Sequence, residues 1–292
     1  MRKSMVMVLA LAMVLALTAC GGQTSSSATT AAAAVSSEAE SSGERAVLRV
    51  AMSADYAPFD WLQGDDSNGA YLTTNGSYMN GYDVLMAQKI ADALDMDLEI
   101  TQVEWDGLIL SITTGKVDCA IAGMSITSER AQSVDFSDPY YNADIVAVVA
   151  EDGAYANVQN LTDFEGATLT SSLNTVWYDV LDQVTDYATK AAALDTFAAM
   201  VSAINSGKAD GFTCDYPSAK SILMTNPNLK IIDFEGGTGF EVSNEETDLG
   251  IPTQKGNTEL VEKINAVLAT ISQEERDAMM DQAVASQPAS QE

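Results

Sequence analysis

Apolar and polar positions divide this chain into three regions. Residues 5–17 are a nearly continuous apolar run, and residues 21–45 hold almost no large apolar side chain. From Val47 onward, short alternating runs take turns with stretches of helical spacing. Val47 to Met52 alternates and predicts a first strand, followed by a turn with Asp55, Tyr56, Pro58 and Phe59. Residues 62–80 are polar, rich in Gly, Asn, Asp and Ser, without a period, and are expected to form a loop. Gly81-Tyr82-Asp83 opens a helix to Leu94, with Val84, Ala87, Ala91 and Leu94 on one face. Leu98, Ile100 and Val103 predict the next strand. Asp106 is a candidate cap for a helix carrying Leu108, Leu110 and Ile112 that Gly115 ends. Val117 to Ala122 is a brief apolar run, as expected of a strand covered on both faces. This order predicts a parallel sheet flanked by helices.

A second βα series follows a strand at Ala143 to Ala150. Its predicted strands are Ala167 to Ser171, Ala191 to Leu194, Ala209 to Cys214 and Leu229 to Phe234. Its predicted helices are Thr175 to Asp186, Thr196 to Asn205 and Pro217 to Met224. The last part, Asp248 to Pro252 and helices Asn257 to Ile271 and Gln273 to Ala285, reads as a return to the first series. The fold class is therefore α/β with two lobes.

The first region reads as an export signal, residues 1–20. Arg2 and Lys3 give it a positive start, and its apolar run is too short to span a bilayer comfortably. Leu17-Thr18-Ala19-Cys20 matches the bacterial lipobox, which implies cleavage before Cys20 and lipidation of its sulfur. An ordinary signal peptide with an incidental cysteine is the alternative. Residues 21–45 cannot bury enough surface to offset their ordering and are expected to be a disordered tether reaching roughly 25–30 Å.

The formal net charge is −28, from 42 acidic and 14 basic residues. Such acidity argues against nucleic acid or anionic lipid as a partner. The chain has no histidine, which removes Ser-His-Asp and Cys-His catalysis and histidine-held zinc. No metal or cofactor is expected. Cys119 and Cys214 each fall in a predicted buried strand, where thiols usually act as small fillers.

The densest chemistry lies between Trp105 and Tyr141. After the strand ending at Ala122, Gly123 permits close approach of backbone to a ligand, and Ser125, Thr127 and Arg130 follow at once. Ligands of open α/β sheets sit beyond the carboxyl ends of strands. A guanidinium there suits a carboxylate, because its planar fork makes two parallel charge-assisted bonds.

Trp105-Asp106-Gly107-Leu108, Thr114-Gly115-Lys116-Val117-Asp118, Gly123-Met124-Ser125-Ile126-Thr127, Glu129-Arg130 and Asp135-Phe136-Ser137-Asp138-Pro139-Tyr140 together resemble the signature of family 3 solute-binding proteins, the amino-acid-binding lipoproteins of bacterial ABC importers. The resemblance extends over roughly residues 47–288. It implies the type II periplasmic binding protein fold: two Rossmann-like α/β lobes joined by two crossover strands. Residues 46–143 and 245–292 would form lobe 1 and residues 144–244 lobe 2, with the hinge strands near 142–147 and 238–247.

The resemblance also implies a ligand site. Arg130 takes the carboxylate of an amino acid, Ser125 is a hydroxyl donor, and Gly123 is a backbone contact for the ammonium. Tyr56 and Trp105 match the aromatic positions that sandwich the ligand side chain. Thr175 keeps the pattern of the lobe 2 helix start, while Asn174 stands where the family usually has glycine; Asn tolerates positive φ better than most residues. Asp215 matches the acid that binds the ammonium. Taken alone, Arg130 could pair with Glu129 on the surface, and Asp215 could be an N-cap. Ser53 stands where binders of cationic amino acids often carry aspartate, which argues against a basic ligand, but Asp55 and Asp60 lie close enough to reverse that.

The implied function is the extracytoplasmic substrate-binding component of an ABC importer. It would be a monomer, lipid-anchored to the cell membrane, binding a free polar amino acid in an interlobe cleft that closes by hinge bending and then docking on the ABC permease subunits. It would not be an enzyme. Two rivals use the same fold: an exported dehydratase of the cyclohexadienyl or arogenate type, and a ligand-sensing lobe for a membrane kinase.

Overall fold

The computed structural model describes residues 45–234 and 238–288. The export signal, the Cys20 lipidation site and all of the tether but its last residue lie outside the described residues. That residue, Arg45, reaches Asp95 at 3.1 Å and Asp97 at 3.3 Å.

The chain opens with β1 (Val47–Met52). Short strands β2 (Asp55–Tyr56), β3 (Asp60–Gln63), β4 (Tyr71–Leu72) and β5 (Tyr78–Asn80) follow, then α1 (Tyr82–Ala93) and β6 (Asp97–Gln102). A 3₁₀ turn at Trp105–Gly107 leads into α2 (Leu108–Thr113), β7 (Cys119–Ala120), β8 (Val134–Phe136) and β9 (Tyr141–Asn142). Next come β10 (Ile145–Ala150), β11 (Thr168–Thr170), α3 (Val176–Asp179), β12 (Thr189–Lys190), α4 (Phe197–Asn205), β13 (Gly211–Asp215), α5 (Tyr216–Thr225) and β14 (Leu229–Ile232). The chain ends with α6 (Asn244–Thr247), β15 (Asp248–Leu249), β16 (Pro252–Gln254), α7 (Thr258–Leu268) and α8 (Gln273–Ser286).

Two five-stranded sheets carry the fold, in the orders β6-β1-β7-β16-β8 and β12-β11-β13-β10-β14. Each is mixed rather than wholly parallel as the βα rhythm predicts. β1 runs parallel to β6 and β7, and β11 parallel to β12 and β13. β16 is antiparallel to β7 and β8, and β10 is antiparallel to β13 and β14. The antiparallel strands are those reached when the chain changes sheets. It leaves the first after Phe136 and enters the second at Ile145, then leaves at Ile232 and returns at Pro252. On these two passages β9 pairs antiparallel with β15, Tyr141 opposite Leu249 and Asn142 opposite Asp248.

Residues 62–80 are not a loop throughout. β3, β4 and β5 belong to a four-stranded antiparallel sheet of order β2-β3-β5-β4. Its strands are two to four residues long, too short to leave a period in a stretch rich in turn formers. The predicted helix from Thr175 to Asp186 is broken into α3 and a 3₁₀ segment at Val180–Val184. The strand expected at Ala191 to Leu194 forms two residues earlier, as β12.

Each sheet has its own packed layer. Leu108 and Ile112 of α2 pack with Ala51, Ala120, Ala122 and Val134 against one face of the first sheet. On the other face α1 packs with α7 and α8. In the second sheet, Ala147, Val149, Leu169 and Ile232 meet Phe164, Leu181 and Val184. Burying a large aliphatic side chain stabilises by about 1.5–3 kcal/mol, so these layers hold rigid the strand ends that carry the loops described next. Cys119 and Cys214 are free, fully buried thiols within the sheets. Among the described residues, no helix is long and apolar enough to cross a membrane.

Candidate functional site

The carboxyl ends of the parallel strands in both sheets face a cavity of about 260 Å³. Ser53, Asp55 and Tyr56 reach it from the end of β1, Glu104, Trp105 and Asp106 from the end of β6, and Gly123, Ser125 and Arg130 from beyond β7. Ser172, Leu173, Thr175, Val176 and Trp177 come from the end of β11, and Asp195, Thr196 and Phe197 from beyond β12.

Arg130 is the only basic side chain in this lining. Its guanidinium donates through Nη1 to the Ser125 carbonyl at 3.0 Å and through Nη2 to the Asn174 carbonyl at 3.2 Å. It lies 5.4 Å from the Trp105 ring centroid, a cation–π distance. Neither bond is to a carboxylate, and Glu129 forms no ion pair with it. Burial lowers its pKa, yet an arginine starts high enough to stay charged. The cavity thus presents a half-buried cation with N–H groups to spare. The surface ion pair that Arg130 alone would suggest is not formed.

Gly123 has φ +56°, and a Cβ there would lie 2.0 Å from Tyr56 Cε1. Only glycine lets the tyrosine ring lie against this turn. The Gly123 N–H is already used, donating to Tyr140 Oη at 2.9 Å, while that hydroxyl donates to Asp83 Oδ1 at 2.8 Å. A ligand ammonium could meet Gly123 only at its carbonyl. Ser125 Oγ donates to the Glu246 carbonyl at 3.1 Å and keeps its lone pairs. Thr175 is the N-cap residue of α3, but its hydroxyl donates back to the Ser172 carbonyl at 2.7 Å and leaves the helix-start N–H groups without a side-chain cap.

Of the residues expected at the site, Tyr56, Trp105, Gly123, Ser125, Arg130 and Thr175 line the cavity. Asp215 does not. It is fully buried, accepts from the Ser218 N–H at 2.9 Å as N-cap of α5, and accepts from the Tyr56 hydroxyl at 2.9 Å. Burial pushes its pKa up to about 6, against the pull of the Ser218 and Tyr56 hydrogen bonds. The N-cap role that the sequence left open is therefore filled. In this arrangement Asp215 faces the cavity through Tyr56, the residue bonded to its outer oxygen.

Tyr56 is itself buried, 4.6 Å from the Phe59 ring centroid and 5.4 Å from that of Trp177. Trp105 gives its face to Arg130 and donates through Nε1 to the Asn174 carbonyl at 3.2 Å. The aromatic wall is completed from the other side by Trp177 and Phe197, 5.9 Å apart, which sequence reading missed. Trp177 stands at the first turn of α3, two residues past Thr175, and that adjacency was the available signal.

Asp55, Glu104, Asp106 and Asp195 also line the cavity. Burial, then the Glu104 charge, raises the Asp55 pKa. Asp60 plays no part in the lining: fully buried, it accepts from the Ala54 N–H at 2.7 Å and the Ser53 hydroxyl at 3.2 Å, and so anchors the turn after β1. The cavity therefore combines one half-buried cation, an aromatic wall and four carboxyl groups.

Residues 48–284 match the model of the bacterial extracellular solute-binding proteins, family 3. The chain is 26% identical to the arginine-binding extracellular protein ArtP of Bacillus subtilis over 272 residues, 92% of each chain. It is 27% identical to a probable histidine-binding protein of Neisseria gonorrhoeae, over 88% of this chain and 86% of that one. Among solved structures, an amino acid ABC transporter substrate-binding protein of Streptococcus pneumoniae bound to L-arginine superposes with a TM-score of 0.70 at 28% identity, covering 82% of this chain and 94% of that one. An ancestral amino-acid-binding protein described as a precursor of cyclohexadienyl dehydratase superposes at 0.65 with 26% identity, over 80% and 93% of the two chains. With a family model spanning nearly the whole described region and a cavity at the facing strand ends of two sheets, this chain belongs to family 3 of the bacterial extracellular solute-binding proteins.

Proposed function

We propose that this chain is the substrate-binding component of an ABC importer and that its ligand is a polar amino acid with a cationic side chain. The observation that carries the reading is the combination, within one aromatic cavity, of the single cation Arg130 with the carboxyl groups of Asp55, Glu104, Asp106 and Asp195. An α-carboxylate taken from water needs a charged partner, and Arg130 offers one. A cationic side chain needs the reverse, and the acids supply it. Trp177 and Phe197 would cover the aliphatic stem and favour the cation further. Relatives that bind arginine or histidine are consistent with this chemistry. Ser125 and the Gly123 carbonyl would hold the ammonium, with Asp215 joining if Tyr56 swings aside.

In this reading residues 46–143 and 245–292 form lobe 1, residues 144–244 form lobe 2, and the passages at β9 and β15 are the hinge. Ligand contacts on both sides of the cavity favour the closed form, because a ligand shifts a population only by its differential affinity. The closed monomer, anchored through a lipid on Cys20, would dock on the permease subunits. A dehydratase is not favoured: the carboxyl groups that burial pushes up furthest, Asp60, Asp83 and Asp215, do not line the cavity.

A thermal-shift screen of the twenty amino acids followed by calorimetry tests the reading. Arginine, lysine or histidine should bind with a Kd in the micromolar range or below. Binding of only acidic or apolar amino acids, or turnover of prephenate or arogenate, would overturn it.

A further inference from the structure

Asn174 stands where relatives would be expected to have glycine, and it takes the left-handed backbone that glycine favours, with φ 57°. Asparagine enters this region at modest cost, whereas a β-branched residue would be strained. Held this way, the residue sends three hydrogen bonds across the cavity mouth. Its carbonyl accepts from Trp105 Nε1 and from Arg130 Nη2, each at 3.2 Å. Its side-chain amide donates to Asp106 Oδ1 at 2.7 Å. Trp105, Asp106 and Arg130 all stand on loops of the first sheet, and Asn174 follows β11 of the second.

We propose that Asn174 is a clasp that favours the closed arrangement of the two lobes over the cavity, and so sets how tightly a ligand is held. The carbonyl bonds would survive with glycine at this position. The bond to Asp106 needs the side-chain amide, and Asp106 forms no ion pair that would replace it. It is charge-assisted but exposed, so about fivefold in the closed-to-open ratio is the expected effect, the equivalent of a hydrogen bond worth about 1 kcal/mol. Arg130 is not consumed by the clasp. Nη1 and Nη2 each spend one N–H, which leaves Nε and one N–H on each Nη for a carboxylate. The consequence for affinity rests on the solute-binding reading, because an apparent Kd scales inversely with the fraction of protein in the competent state. The closure itself does not rest on it.

The test reads closure directly in ligand-free protein. Spin labels are placed on Leu110→Cys in α2 and Ser202→Cys in α4, both exposed positions, in a Cys20→Ser background. Cys119 and Cys214 are fully buried and do not compete for label. Pulsed dipolar distances should show a short and a long population. Asn174→Gly should move the short-to-long ratio toward the long distance by about fivefold. Asn174→Asp, which sets a carboxylate against Asp106, should move it further, and Asn174→Asp with Asp106→Asn should restore the short population. Single variants indistinguishable from the parent, or a failed exchange, would each overturn the clasp. If no amino acid binds, the solute-binding reading fails while these distances still decide the clasp.

Discussion

Replacing Tyr56 by Phe should destabilise the protein far more at pH 8 than at pH 5. The hydroxyl donates to Asp215 at 2.9 Å in a fully buried setting, where the carboxyl group has no cationic partner. At pH 8 Asp215, with a pKa pushed up to about 6, is ionised. A hydrogen bond to a charged group contributes about 1.5–3 kcal/mol, and its loss leaves the Ser218 N–H as the main donor to a buried anion. At pH 5 the carboxyl group is mostly protonated, and the same deletion removes a neutral bond worth about 0.5–1.5 kcal/mol. For a domain of this size, about 2–4 °C of Tm per kcal/mol places a loss of about 2 kcal/mol near 4–8 °C at pH 8 and one of about 1 kcal/mol near 2–4 °C at pH 5. The parent should itself be more stable at pH 5. A carboxyl group raised from 3.8 to about 6 binds its proton in the folded state while the unfolded chain stays ionised, so stability grows as pH falls through 6 and levels off below 3.8. Asp60 and Asp83, also raised by burial, act in the same direction. Their contribution is common to parent and variant and cancels in the difference between them. Thermal melts of both proteins at the two pH values suffice. Equal losses at pH 5 and pH 8, or a parent Tm that climbs from pH 5 to pH 8, would refute the reasoning.

Three further outcomes are expected. Arg130→Ala should weaken ligand binding by about 2–5 kcal/mol in calorimetry, because it strips the carboxylate of its buried charge partner; unchanged affinity would contradict its role. Gly123→Ala should cost about 2–5 kcal/mol of stability in urea melts, from a Cβ 2.0 Å from Tyr56 Cε1 and a left-handed φ, and Tyr56→Ala should partly relieve it; additive losses would argue against that collision. Cys119 and Cys214 should resist maleimide in the native protein and react once urea unfolds it, read by peptide mass spectrometry, since burial raises both thiol pKa values and denies access; native labelling of either would place it nearer the surface than described.

Much of this site was legible from residue types because its parts lie at strand ends, where sequence period changes abruptly. Val117 to Ala122 gives way to Gly123, and within eight residues come the serine and the arginine that line the cavity. The signal is local, so a single sequence carries it. Strand direction was not legible, because the antiparallel setting of β10 and β16 follows from the path by which the chain reaches them and leaves no mark in their own residues. The short antiparallel sheet at β2 to β5 was invisible for a related reason: two-residue strands are set by their partners, not by their own period.

Asp215 marks the limit of motif reading at the site itself. It is the last residue of β13, just before α5, but position alone does not say whether a carboxyl group faces a ligand, caps a helix or receives a neighbour's hydroxyl. Here the last two hold together, and the second depends on Tyr56, 159 residues away in sequence. Tyr56 in turn lies where it does because Gly123 has no Cβ. These three residues come from three separate strand ends and form one packed unit, so a change at any of them should be felt at the others. For an ammonium to reach Asp215, the Tyr56 hydroxyl must give up its bond, and the ligand's charge must then stabilise the carboxylate that the hydroxyl had served. Binding would lower the Asp215 pKa and release a proton near pH 6, so affinity should fall as the medium turns acidic while the empty protein becomes more stable. Opposite pH trends for affinity and Tm are a signature that a purely structural Asp215 would not produce.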